Sequence, residues 1–368
     1  MKRRSFLATL PLATAGALAQ NRGIPEHWSD VTGQMTEVST VPRELKFRAD
    51  GTFKILAISD LHYIPEPDKY GIELTEKLIS VENPDLIIVN GDNISGDSCS
   101  TEDDVKKTIA NVAVAMEKMK VPWAVTLGNH DQEHVARTHI TRDHVFEYYE
   151  SYPHNLNGSW ARNIYGAGNK NILIWSFDGS RPVSNIWLID SGEAVKDHEV
   201  RYDWIHTDQI AWYYQTSKYL ESRYGQRIPS LMFFHIPLPE FNEMILTNKV
   251  LGERHEPESP SRINGGMFSA VMERGDVKGI FCGHDHVNNY IGKYHNVTLG
   301  YIGVVGYHGY PHTPPDDVTN DRARGGRVFL FKEADPDNFK TWIRFRDGST
   351  NWEHWSDAYA RDQIKSTF

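Results

Sequence analysis

Five short apolar runs in this chain each break off at a cluster of aspartate, asparagine or histidine. Residues 53–59 lead into Asp60-Leu61-His62, 86–89 into Asn90-Gly91-Asp92-Asn93, and 122–127 into Gly128-Asn129-His130-Asp131. Residues 231–234 meet His235, and 279–282 meet Gly283-His284-Asp285-His286. Apolar runs this short, with little polar alternation, suit strands buried on both faces. Helical patterns separate the first three. One covers 72–81 and stops before Pro84; the other runs from a Thr101 cap to about 119, with Glu102, Asp103 and Asp104 in its first turn. Strand and helix alternating in this way specify an α/β domain. The carboxyl ends of the strands in such a sheet face one edge, so the five clusters are expected to converge on one crevice.

The rhythm changes after 130. The pattern predicts a helix over 143–150, loop over 155–168, strands over 172–177 and 186–189, and a helix over 208–224 capped by Thr207. From 289 to about 345 it predicts several short strands separated by Gly, Pro and Asp. No repeat or long linker divides the chain, so one domain is expected over 51–350, with tails at 20–50 and 351–368. Residues 1–19 combine Lys2, Arg3 and Arg4, a modest apolar stretch and the small-x-small end Ala17-Leu18-Ala19. That is the pattern of a cleaved export signal, and Arg3-Arg4-Ser5-Phe6-Leu7 resembles the twin-arginine type, which places the mature protein in the periplasm or outside the cell.

The crevice would hold Asp60, His62, Asp92, Asn129, His235, His284 and His286, all oxygen or nitrogen donors and none sulfur. Seven donors exceed what one tetrahedral zinc takes, and suit two ions sharing a carboxylate. Paired divalent ions are the usual device for activating water and clamping a phosphoryl group. Read instead as separate caps and core residues, these side chains would leave several buried charges uncompensated.

In order, D-x-H, G-D, G-N-H-D, a lone His and G-H-x-H resemble the five motif blocks of the calcineurin-like metallophosphoesterases, over roughly residues 52–347. Tyr202-Asp203-Trp204-Ile205 and His235-Ile236-Pro237-Leu238-Pro239 resemble the purple-acid-phosphatase-like branch that includes a yeast cell-cycle phosphatase. The resemblance implies two mixed β-sheets packed face to face and flanked by helices. It also implies a dinuclear centre of iron, manganese or zinc. Asp60, His62 and His286 would hold one ion, Asn129, His235 and His284 the other, and Asp92 would bridge them, with a bridging hydroxide attacking phosphorus in line. His130 would touch the phosphoryl oxygens or protonate the leaving group. In the purple enzymes a tyrosine three residues after the bridging aspartate ligates iron. Here that residue is Ser95, so no purple chromophore is expected. The phosphoprotein phosphatases place there an aspartate that pairs with the catalytic histidine, and Asp131 or Asp97 is expected to take over that role.

The remaining candidates are Tyr63 and His134, which could line the substrate cleft, and the 306–311 loop (GYHGYP), whose His308, with His312 beyond it, could overhang the metals. Cys99 and Cys282 are expected to be unpaired. A net charge of −10 argues against nucleic acid or anionic membrane as partner, and no segment is long enough to span a bilayer. The partner expected is a small phosphate ester. Hydrolysis of monoesters is the leading expectation, with a phosphodiesterase on the same scaffold or a non-catalytic binding protein as alternatives.

Overall fold

Alternate side chains of the first apolar run point to opposite sides, and both sides are covered. In the computed structural model, which describes residues 45–197, 199–247, 250–310, 324–351 and 365–366, this run is strand β1 (Thr52–Ile58). Phe53, Ile55 and Ala57 enter one buried cluster, whereas Leu56 and Ile58 enter another. The continuous apolar run therefore needs no polar alternation. Strands β2 (Leu86–Asn90) and β3 (Trp123–Thr126) extend the sheet in parallel. The export leader expected over 1–19, most of the tail over 20–50, His312 and most of 351–368 lie outside the described residues.

The chain then builds a second sheet. Its strands are β4 (Lys170–Trp175), β5 (Pro182–Leu188), β6 (Ser230–Phe233), β7 (Val250–Leu251), β9 (Val277–Cys282), β10 (Ile291–Tyr294) and β11 (Val297–Tyr301). The order is β4-β5-β6-β9-β11-β10-β7, with β5, β6, β9 and β11 parallel. Strand β8 (Glu253–Arg254) stands apart, paired with β14 (Lys365–Ser366). Strands β12 (Gly325–Lys332) and β13 (Asp335–Phe345) return to the first sheet, β12 lying antiparallel to β1, giving the order β13-β12-β1-β2-β3.

The two sheets pack face to face through Phe53, Ile55, Ile88, Ile186, Leu231, Phe233, Phe281 and Phe329. Leu45 and Phe47 join this core, and Lys46 bridges to Trp175, so the end of the N-terminal tail is strapped between the sheets. Helices α1 (Lys69–Glu82), α2 (Glu102–Met119) and α4 (Arg142–Glu150) cover the first sheet, with α3 (Val135–Thr138) a single turn between α2 and α4. Helices α5 (Thr207–Tyr224), α6 (Glu240–Thr247) and α7 (Met267–Arg274) cover the second. The result is a four-layer helix–sheet–sheet–helix sandwich. The cap of α5 is His206 rather than Thr207, because the Gln209 amide oxygen accepts the His206 backbone N–H at 2.7 Å and fixes the chain one residue earlier. Cys99 and Cys282 are free, buried in different outer layers. Among the described residues no helix is long and apolar enough to cross a membrane.

Candidate metal centre

Strands β1, β2 and β3 run parallel in one sheet and β6 and β9 run parallel in the other. Their carboxyl ends meet at the seam between the sheets. Four of the residues delivered there, Asp60, His62, Asp92 and His284, have left-handed backbones with φ between 48° and 76°. Non-glycine residues adopt that conformation only when their surroundings impose it, and it concentrates at functional sites. Each adjacent glycine has a steric reason. A Cβ at Gly91 would lie 2.5 Å from the His235 ring, one at Gly128 2.2 Å from Asp92 Oδ1, and one at Gly283 2.0 Å from Ser59 Oγ.

Two donor groups form. Asp60, His62, Asp92 and His286 make the first, and Asp92, His235 and His284 the second, so Asp92 belongs to both. His62 Nε2 and His286 Nε2 face each other at 3.1 Å, and His286 Nε2 lies 3.2 Å from Asp60 Oδ1. His235 Nε2 lies 3.0 Å from Asp92 Oδ2. The His130 backbone N–H donates to Asp92 Oδ1 at 2.8 Å, which leaves Oδ2 turned towards His62 and His235. Asn129 follows Gly128, which packs against Asp92 and His235, and its own Oδ1 is buried without a protein partner.

The imidazoles are fixed from behind. His235 Nδ1 donates to Asn90 O at 2.9 Å, and His286 Nδ1 to Tyr310 O at 2.5 Å, so each presents Nε2 to the centre. Ser95 Oγ donates to His62 O at 3.2 Å and lies 3.4 Å from His62 Nδ1. Burial, joined by the neighbouring histidines, pushes His62 and His284 down to about 3 and keeps them neutral, the form that ligates metal. Burial alone would raise Asp60 and Asp92, but the surrounding imidazoles hold both below the ordinary carboxylate range. Burial also opposes charge on His235, yet Asp92 and Asp60 outweigh it and push this ring up to about 10. No Lys or Arg pairs with Asp60 or Asp92 among the described residues. Two buried carboxylates, four converging imidazoles and an orphaned amide oxygen fit a pair of cations, with Asp92 common to both.

His130 stands beside this centre, its ring 5.0 Å from that of His62. Its Nδ1 meets Glu133 Oε1 at 2.9 Å. Burial opposes its charge, but Glu133 and Asp92 push it up to about 9. The carboxylate that orients His130 is therefore Glu133, not Asp131 or Asp97. Asp131 is fully buried and accepts backbone N–H groups from Gly128, Asn93 and Ile94, tying the β3 turn to the β2 turn. Burial and the charge of Asp92 push it up to about 7.

Tyr63 and His134 do not line the cleft. Tyr63 is buried in the outer core, its ring against Gly71 of α1. His134 is fully buried, with Nδ1 on Thr138 Oγ1 at 2.9 Å. The 306–310 stretch does lie over the centre: a Cβ on Gly309 would meet His286 at 2.7 Å and His62 at 2.9 Å. His308 is exposed on that stretch. Tyr310 stacks on His286 at 4.1 Å and donates its hydroxyl to Glu256. Asn90, Glu133 and Tyr310 are contributors that sequence reasoning missed. Of these, only Glu133 had a local signal, three residues beyond His130.

A family model described as calcineurin-like phosphoesterase matches residues 53–288. "Probable inactive purple acid phosphatase 14" of Arabidopsis thaliana is 35% identical over 340 residues, 83% of this chain and 83% of its own length. "Phosphatase DCR2" of Saccharomyces cerevisiae is 28% identical over 286 residues, 69% of this chain and 47% of its own. Among solved structures, a dimetal phosphatase from Danio rerio aligns over 76% of this chain and 95% of its own, at 12% identity and a TM-score of 0.49. Matched by the family model over most of its length, this chain belongs to the calcineurin-like phosphoesterases.

Proposed function

We propose that this protein is an exported, metal-dependent hydrolase of small phosphate monoesters. The observation that carries the reading is the donor set gathered around Asp92, with Asn129 Oδ1 beside it buried and lacking a hydrogen-bond partner of its own. Asp60, His62 and His286 would hold one ion, Asn129, His235 and His284 the other, and Asp92 both. Bound ions of this kind supply Lewis acidity and an activated water at a phosphoryl group. The chain supplies the rest. Glu133 holds Nδ1 of His130 and leaves Nε2 as the site of a transferable proton, present at neutral pH because the ring is pushed up to about 9. That proton would go to the leaving-group oxygen. Gly309 and Tyr310 cover the histidines of the first group and limit access of water. Export rests on the sequence of residues 1–19.

A non-catalytic reading has two observations in its favour. Ser95 stands where the purple enzymes place a ligating tyrosine, and the Arabidopsis relative carries the word inactive in its name. The two readings separate on turnover. Purified protein loaded with manganese, iron or zinc is expected to hydrolyse nitrophenyl phosphate with a higher kcat/KM than bis-nitrophenyl phosphate. Asp92→Asn should abolish both turnover and metal binding. A diester preference would make the protein a phosphodiesterase, and metal binding without turnover of either ester would establish the binding protein.

A further inference from the structure

A sixth strand end reaches the same edge. Strand β5 lies parallel to β6, so the segment after Leu188 emerges beside His235, and Ser191 Oγ accepts the Ile236 backbone N–H at 2.9 Å. This segment brings Tyr202 onto the second donor group, with its ring perpendicular to that of His284 at 4.5 Å. The guanidinium of Arg201 lies over the Tyr202 ring, 5.1 Å from its centre. Arg201 is exposed, and among the described residues no carboxylate pairs with it. Its backbone is left-handed, with φ 70°, held there by Arg201 N–H donating to Asp197 O at 2.8 Å and Val195 N–H donating to Arg201 O at 3.1 Å. A long side chain in that conformation is a strained choice where glycine would serve, and the strain presents a cation at the rim of the metal centre.

Resting on the phosphoesterase reading above, we propose that Arg201, seated over Tyr202, is an anion subsite that grips the non-ester oxygens of a phosphate monoester. The ring restrains the guanidinium, whose forked N–H groups can then meet two oxygens at once, the geometry in which arginine recognises phosphate. A monoester dianion offers that fork more charge than a diester monoanion, so the subsite favours monoesters.

The test uses inorganic phosphate as the probe, titrated calorimetrically into the manganese-loaded full chain, together with kcat/KM for both nitrophenyl esters. Arg201→Ala should weaken phosphate binding about tenfold to a hundredfold, the range of a charge-assisted hydrogen bond. It should lower kcat/KM for the monoester by a similar factor and for the diester by much less. Arg201→Lys should recover only part, because an ammonium cannot make the two-point contact. Arg201→Gly should weaken phosphate binding like alanine while raising Tm, because glycine accepts the left-handed backbone; a merely structural arginine would lower Tm instead. Unchanged phosphate affinity in Arg201→Ala and Arg201→Gly, or equal losses on both esters, would overturn the proposal. If the wild type hydrolysed neither ester but bound phosphate through Arg201, the subsite would stand and the hydrolase reading would fall. Monoester turnover unaffected by these substitutions would do the opposite, removing the subsite and leaving the hydrolase reading in place.

Discussion

Glu133 decides how His130 behaves. Its carboxylate at 2.9 Å is the largest attraction that keeps the imidazole protonated up to about 9, against a burial cost that favours the neutral ring. A general acid works only while protonated, so activity on substrates with poor leaving groups should hold through neutral pH and fall as pH rises through that value. Glu133→Gln should move this alkaline limb towards lower pH and leave the acid limb in place, as read from kcat profiles on an alkyl phosphate. An unmoved limb would remove Glu133 from the mechanism. His130→Asn should lower kcat on the same substrate by about 10²- to 10⁴-fold, with a much smaller loss on nitrophenyl phosphate, whose leaving group needs little protonation. The contrast between legible and hidden residues is sharp at this scale. Asp60, His62, Asp92, His235, His284 and His286 announced themselves because each ends an apolar run. Asn90 and Tyr310 act through backbone carbonyls on rings that lie 145 and 24 residues away in the chain. A carbonyl oxygen is common to every residue type, so nothing in the sequence marks those two.

At the scale of the element, the turns matter more than the strands they end. Gly128→Ala would put a Cβ 2.2 Å from Asp92 Oδ1 and 2.4 Å from Asp92 N, and backbone cannot yield as a side-chain tip can. The expected cost is about 1–3 kcal/mol of stability together with weaker metal binding. Gly225→Ala, at the left-handed end of α5 with nothing within 4 Å, provides the control. It should cost about 1 kcal/mol through backbone conformation alone and leave metal affinity unchanged. Calorimetric titration of both variants with manganese separates the two effects. Element reading from sequence succeeded where local chemistry was explicit. The Thr101 cap of α2 forms a full capping box with Asp104, and β1, β2 and β3 fall within two residues of their apolar runs. It failed for α6 and α7. Eight-residue helices are marginal on their own, and these exist because Phe241, Met244, Met267 and Val271 bury themselves against the second sheet. Antiparallel pairing of β12 with β1 joins segments more than two hundred residues apart, which periodicity does not encode.

On the scale of the whole molecule, the centre draws Asp60, His62, Asp92 and Asn129 from ends of the first sheet and His235, His284 and His286 from ends of the second. Metal removal should therefore show in global stability. At a thousandfold excess over Kd, bound ions would contribute about 4 kcal/mol, a rise in Tm on the order of 10 °C, relative to chelator-treated protein. Asp92→Asn should erase most of that difference, as differential scanning calorimetry can check; an equal rise in wild type and variant would place the ions elsewhere. The position of the centre on the seam has a consequence for assembly. Neither half of the chain contains a complete set of donors, so a chain with both sheets formed but undocked has nowhere to hold the pair of ions. Metal uptake then becomes a clock for a single late event. In a refolding experiment, the moment at which manganese leaves solution would mark the closing of one sheet upon the other, however early the helices had formed.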